Sequence, residues 1–139
     1  MSNPGPATTT STHPSNLGTN QALRLLASAQ GVSLGQTGDA ATLPINNSTT
    51  YSVYQVIVTN ASANVATGYI GLFTAPSGGG TAIVSNAVLT GVTGSTVVSQ
   101  RTVASTATQT SQNLYLKVGT AVTGTVDVYV FGYDFSQSS

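Results

Sequence analysis

Apolar and polar residues alternate with a period of two over several short runs of the chain. The clearest runs lie in residues 113–118 and 125–133, where leucine or valine fills every second position over most of each run. Successive side chains of a β-strand point to opposite faces, so this alternation is typical of a strand with one face on a core. The pattern predicts two strands near the end of the chain.

The loop at residues 119–124 predicts that these two strands form a hairpin. Symmetric pairing gives three cross-strand pairs: Leu116 with Val128, Tyr115 with Tyr129, and Lys117 with Asp127. The last pair is interpreted as an exposed ion pair that contributes about a few tenths of a kcal/mol. The outer face of the hairpin would carry an aromatic row: Tyr115, Tyr129, Phe131, Tyr133 and Phe135. Such a row can stack on sugars or anchor a protein interface, and a second buried face of a sandwich is an equal alternative.

Earlier runs at residues 51–59 and 69–73 are apolar at both odd and even positions. This predicts strands covered on both faces, by the core on one side and by a partner on the other as one option. Shorter runs near residues 43–45, 82–84 and 96–104 bring the total to about seven or eight strands, separated by glycine, asparagine, proline and serine. Even spacing of short strands predicts a single antiparallel β-sandwich or barrel.

Residues 21–29 fit two structures. Asn20 and Gly31 would cap a short helix, whereas the alternation of Leu23, Leu25 and Ala27 fits a strand. A lone helix would need a groove on an otherwise all-β body to bury its apolar face, so we predict a strand and keep the helix as the alternative.

Residues 1–20 contain three prolines, a run of threonine and serine, and few apolar side chains. We therefore predict an extended polar N-terminal arm at residues 1–20, followed by a β-sandwich domain at residues 21–139. Fully extended, the arm would reach roughly 65 to 70 Å across a neighbouring subunit. A free terminus without a function is the alternative.

Charged residues make up only 4% of the chain, with a formal net charge of zero. A chain with no net charge has no electrostatic field that would attract the phosphate backbone of a nucleic acid. We therefore expect no nucleic-acid partner. A neutral surface suits a permanent protein neighbour, and adaptation to an extracellular or saline setting is the alternative. The N-terminus lacks the basic and apolar regions of a secretory signal, and no apolar stretch is long enough for a membrane helix. We expect synthesis in a host cytoplasm, without membrane contact.

Residues able to carry out catalysis are scarce. The single histidine, His13, lies in the predicted arm, and Asp39, Asp127 and Asp134 are scattered along the chain. A triad needs a folded histidine, and carboxylate catalysis needs two facing acids. Asp39 could take part in a weak calcium site, but a simple turn is the preferred interpretation. We predict no catalytic, cofactor-binding or metal-binding residues, no small-molecule substrate and no enzymatic activity.

Several strand and turn segments resemble small virion proteins of tailed bacteriophages, the capsid decoration or cement proteins with a jelly-roll-like sandwich. The resemblance covers most of the predicted domain and not the arm. It is carried by residues 24–29, 39–40, 44–45, 56–62, 71–75, 79–82, 114–116 and 127–134.

The resemblance implies a homotrimer on the outer surface of a phage head. There it would clamp neighbouring major capsid subunits, with the arm contributing to attachment. A receptor-binding or carbohydrate-binding module of a phage tail or head fibre, using the aromatic row, is the alternative function.

Overall fold

Residues 23–135 are described by a computed structural model, and they form eight β-strands. The strands are β1 Arg24–Ser33, β2 Gly38–Pro44, β3 Tyr51–Thr59, β4 Tyr69–Ala75, β5 Gly79–Val88, β6 Val98–Arg101, β7 Asn113–Thr120 and β8 Thr125–Asp134. A short 3-10 turn, Pro76–Gly78, joins β4 to β5. The strand prediction for the segment after residue 23 is confirmed. The predicted arm lies outside the described residues.

Two antiparallel four-stranded sheets pack face to face. We call them sheet A, with the order β1-β8-β3-β6, and sheet B, with the order β2-β7-β4-β5. The pairs β1·β8, β2·β7, β3·β6 and β4·β5 show that the first half of the chain runs antiparallel to the second half. This is a long hairpin wrapped into two layers, the arrangement of a jelly roll. The predicted all-β, jelly-roll-like sandwich is confirmed.

The predicted hairpin between β7 and β8 is wrong, because these strands belong to different sheets. Lys117 lies opposite Asp39 in β2, and Asp127 lies opposite Thr59 in β3. The connection crosses between the layers, where the Val122 amide donates to the Leu34 carbonyl. Inward-facing leucines and valines alternate in the same way whether two strands pair side by side or face each other across a core.

The core lies between the sheets and consists of the inward positions of all the long strands. Val126, Val128 and Val130 of β8 are fully buried, as are Leu114 and Val118 of β7. The prediction that β3 is covered on both faces holds only at its start. From residue 54 onward, the outward-facing side chains of β3 are exposed or half-buried, and only the inward-facing ones are buried.

Tyr51 fixes the start of β3 to the segment before β7. Its ring is fully buried, its hydroxyl donates to the Ser111 carbonyl, and its backbone pairs with Gln109 in both directions. Burial raises the pKa of Tyr51 to about 12. The protonated phenol is therefore the form that the folded state requires.

Because of this pKa, the free energy of unfolding of the domain should fall at alkaline pH. The unfolded phenol titrates near pH 10, so the contribution of Tyr51 is complete below that pH and is lost as the pH rises from 10 to 12. We expect a loss of about 2 to 3 kcal/mol over this range. Tyr51→Phe should remove this loss while costing about 1 kcal/mol at pH 7, because the Ser111 carbonyl loses its donor. Urea unfolding at pH 7, 9 and 11 tests this, with Tyr54→Phe as an exposed control. An equal alkaline loss in both variants would contradict it.

Candidate binding surface

The outer face of sheet A carries aromatic and aliphatic side chains on neighbouring strands. Tyr129, Phe131 and Tyr133 alternate with buried residues of β8 and so point away from the core. The strand register sets Leu25 of β1 opposite Phe131, and Ile57 of β3 opposite Tyr129. The central strand of this face therefore forms an aromatic stripe with aliphatic neighbours on both sides.

This apolar surface extends to the end of sheet A where residues 1–22 join the domain. Leu23 and Leu25 are 42% and 37% exposed, and Phe135, directly after β8, is 45% exposed. Because Arg24 pairs with Gly132, the start of β1 and the end of β8 lie side by side. We define the β1/β8 patch as Leu23, Leu25, Tyr129, Phe131 and Phe135. Single exposed apolar residues are common, but a group on one face is typical of a contact surface.

Sheet B presents a more polar outer face. Thr42, Tyr115 and Phe73 lie across β2, β7 and β4 in register, and Asp39 and Lys117 lie one step away on the same side. Tyr115 is thus on the sheet opposite to the β8 aromatics. The predicted aromatic row is correct for the residues of β8 and wrong for Tyr115.

The carboxylate of Asp134 ties together the two ends of the domain. It accepts from Arg24 Nη1 at 3.0 Å and from Ser48 Oγ at 2.8 Å. Arg24 also donates to the Asn46 carbonyl. This ion pair lies beside the β1/β8 patch and already satisfies both charges within the domain.

The other two acids also hold contacts within the domain. Asp127 accepts from the Gly31 amide at 2.8 Å and from Asn60 Nδ2 at 3.0 Å. Asp39 accepts from the Ser77 amide with both oxygens, at 3.0 and 3.1 Å. Asp39 belongs to strand β2, so the predicted turn at this position is wrong. Over residues 23–135 no group of three or more histidine, cysteine or acidic side chains is placed to hold a metal ion.

A second feature lies between β3 and the edge strand β6 of sheet A. It is a cleft of about 430 Å³ lined by Tyr54, Gln100, Arg101, Thr102, Val103 and Thr106, which we call the Tyr54 cleft. Tyr54 is 56% exposed because it is the extra residue of a β-bulge between Val53 and Gln55. Its ring meets the ring of Tyr133 edge to face, with centroids 5.8 Å apart.

Arg101 supports this cleft from the inside of the sandwich. It is only 9% exposed, and its guanidinium donates to the Val88 carbonyl at 2.7 Å and to Ser99 Oγ at 3.2 Å. Burial lowers the pKa of Arg101. Its Nε atom is buried without a hydrogen-bond partner in the described part of the chain. Arg101 links the edge strands of the two sheets.

Sequence reasoning identified neither Tyr54 nor Arg101. Tyr54 stands in a run that is apolar at odd and even positions, so alternation could not mark it as exposed. Its direction follows from the bulge, which depends on the register between β3 and β8.

Comparison with known proteins gave one structural likeness. No family model and no curated protein matches this chain. The fold is similar to a solved structure described as the capsid asymmetric unit of cyanophage Pam1, with a TM-score of 0.38 and 19% identity over 96% of this chain and 91% of that chain. A likeness at this level carries no functional conclusion for this chain. Among residues 23–135, no helix is long and apolar enough to cross a membrane.

Proposed function

We propose that this chain is a bacteriophage virion structural protein that decorates the head. In this function it binds the outer surface of the capsid and clamps neighbouring major capsid subunits. The observation that carries the proposal is the β1/β8 patch, an uncharged apolar surface at the point where residues 1–22 join the domain. The resemblance of the strand segments to capsid decoration proteins supports the same function.

The chemistry of the patch favours a protein partner. Phenylalanine and tyrosine are enriched at the centre of protein interfaces, where charged residues are depleted. The nearest charges, Arg24 and Asp134, already pair with each other. A partner that covers the patch therefore removes no unpaired charge from water. We expect the partner to present a neutral, apolar surface.

The arm adds area to this contact. Residues 1–20 are rich in polar side chains, and we propose that they lie along the partner, where a large wrapped surface offsets the entropic cost of binding. Several copies on one capsid would bind with avidity, and we propose a homotrimer located on the virion and synthesised in the host cytoplasm. The proposal involves no catalytic step, cofactor or nucleic acid, and the three acids serve as structural hydrogen-bond acceptors.

A charge placed in the patch tests the proposal. Leu25→Lys puts an unpaired ammonium group into the buried contact, and we expect capsid affinity to fall about 100-fold or more. The matched control is Thr42→Lys on the exposed face of sheet B, which should bind as the parent chain does. Co-sedimentation with capsids of the cognate major capsid protein, together with thermal melts of both variants, gives the comparison. Equal binding by both folded variants would contradict the proposed contact.

A further inference from the structure

The Tyr54 cleft exists because the pairing of β3 with its neighbour is interrupted. β3 pairs with β6 from Val56, opposite Arg101, to Thr59. The next pairing on that side is the bridge between Tyr51 and Gln109. Residues 52–55 of β3 therefore face the longer segment 102–108, which bows away from the sheet edge. The gap is therefore a product of the strand pairing.

Both walls of the cleft are fixed in place. On the β6 side, Gln55 Nε2 donates to Gln100 Oε1 at 3.2 Å, which orients the Gln100 amide. On the other side, Ser52 Oγ donates to the Thr106 carbonyl at 2.6 Å, and the Ala104 amide donates to the Ile83 carbonyl at 2.7 Å. A site held by such contacts loses little freedom when it binds a ligand.

The lining combines an aromatic platform with uncharged hydrogen-bonding groups. Tyr54 is 56% exposed and its ring contacts the ring of Tyr133 edge to face, so it offers an exposed aromatic surface for stacking. The Gln100 amide and the hydroxyls of Thr102 and Thr106 provide donors and acceptors around it. The cleft volume of about 430 Å³ lies in the range of small-ligand sites.

We infer that the Tyr54 cleft is a binding site for a neutral glycan. A sugar ring has an apolar C–H face that stacks on a tyrosine, and hydroxyls at its rim that bond to amide and hydroxyl groups. A free phosphate or a nucleic acid would need an available cation. The guanidinium of Arg101 is instead buried and directed to Val88 and Ser99.

The cleft lies on the β3–β6 side of sheet A, whereas Leu25 of the β1/β8 patch lies on the other edge strand, β1. β6 is three strands away from β1, a separation of about 14 Å at the usual strand spacing. Tyr54 adjoins the β8 side of the patch through its contact with Tyr133, and a partner seated on the β1 side would leave the β6 side of the cleft accessible. A decorated virion would then display many weak glycan sites, whose combined avidity holds it at a polysaccharide-coated surface.

An array of neutral and acidic glycans tests the inference, probed with the biotinylated full chain displayed on streptavidin to raise avidity. We expect binding to neutral glycans, at least tenfold weaker for Tyr54→Ala, and retained in Tyr54→Phe, which keeps the stacking ring. Tyr69→Ala, which removes an exposed tyrosine from sheet B, is the matched control and should bind as the parent chain does.

Three results would overturn the inference: no neutral glycan bound, binding to acidic glycans alone, or full binding by folded Tyr54→Ala. The inference does not rest on capsid attachment, and the two can be tested separately. We expect Tyr54→Ala to co-sediment with capsids and Leu25→Lys to bind glycans. Loss of both functions in Leu25→Lys, with an unchanged melting temperature, would show that the two surfaces are not independent and would overturn the separation of patch and cleft.

Discussion

Gly132→Ala is expected to destabilise the domain by about 3 to 5 kcal/mol, a large part of the roughly 5 to 15 kcal/mol of a typical domain. Gly132 faces inward on β8, the strand between β1 and β3. A β-carbon there would collide with the Ser52 carbonyl oxygen and lie 2.7 Å from Leu26 Cδ1. Both neighbouring strands bulge next to this residue, after Leu25 and after Val53, so the close approach is part of how sheet A curves.

The control for this substitution is Gly94→Ala. A β-carbon at Gly94 would meet nothing within 4 Å, and its backbone does not require a positive φ. We expect a change within about 0.5 kcal/mol. Urea unfolding of the two variants measures the difference directly. If Gly132→Ala unfolds within 1 kcal/mol of Gly94→Ala, then the close packing of β8 against Ser52 is not a constraint on the fold.

Deletion of residues 1–20 is expected to abolish stable attachment to capsids. The domain keeps its core and its Arg24–Asp134 ion pair, so its melting temperature should not change. The loss follows because the patch alone offers few large side chains, and the remaining area would come from the arm. Co-sedimentation with capsids measures occupancy before and after the deletion.

A second variant distinguishes the effect of the arm's side chains on capsid attachment from the effect of its length. Replacing residues 1–20 by an equally long glycine and serine linker keeps the bulk and removes the side chains. We expect this variant to attach no better than the deletion. Full occupancy of capsids by the truncated chain would show that the arm does not contribute to binding, and glycan binding should survive in both variants.

The local structure of this chain follows from its sequence more closely than the pairing of its strands does. Alternation predicted β8 with the correct inward side chains. It also predicted β1 as a strand, but Leu25 of the alternating set faces outward and Leu26 faces the core, because a bulge follows Leu25. The predicted β7–β8 hairpin was wrong because the alternation is the same whether Leu116 and Val128 lie side by side in one sheet or face each other across the core. Asp127 finds partners in Gly31 and Asn60, which are far from it in sequence. The Gly31 contact depends on a bulge in β1 that no local pattern shows.

The candidate surfaces divide in the same way. Tyr129, Phe131 and Tyr133 could be placed on one outer face from their spacing alone. Tyr115 could not be assigned to the other sheet without the topology, and Tyr54 could not be recognised as exposed without the register of β3. Sequence reasoning failed for the residues whose position depends on strand order and register.

The position of the chain in an intact virus particle tests the central claim most directly. A reconstruction by electron cryomicroscopy, at a resolution that traces residues 1–20, would show what covers the β1/β8 patch. We predict the domain on the outer surface of the head, with the patch on the major capsid protein and the arm across neighbouring subunits. A particle that lacks the chain, or that carries it only at the tail, would contradict the account.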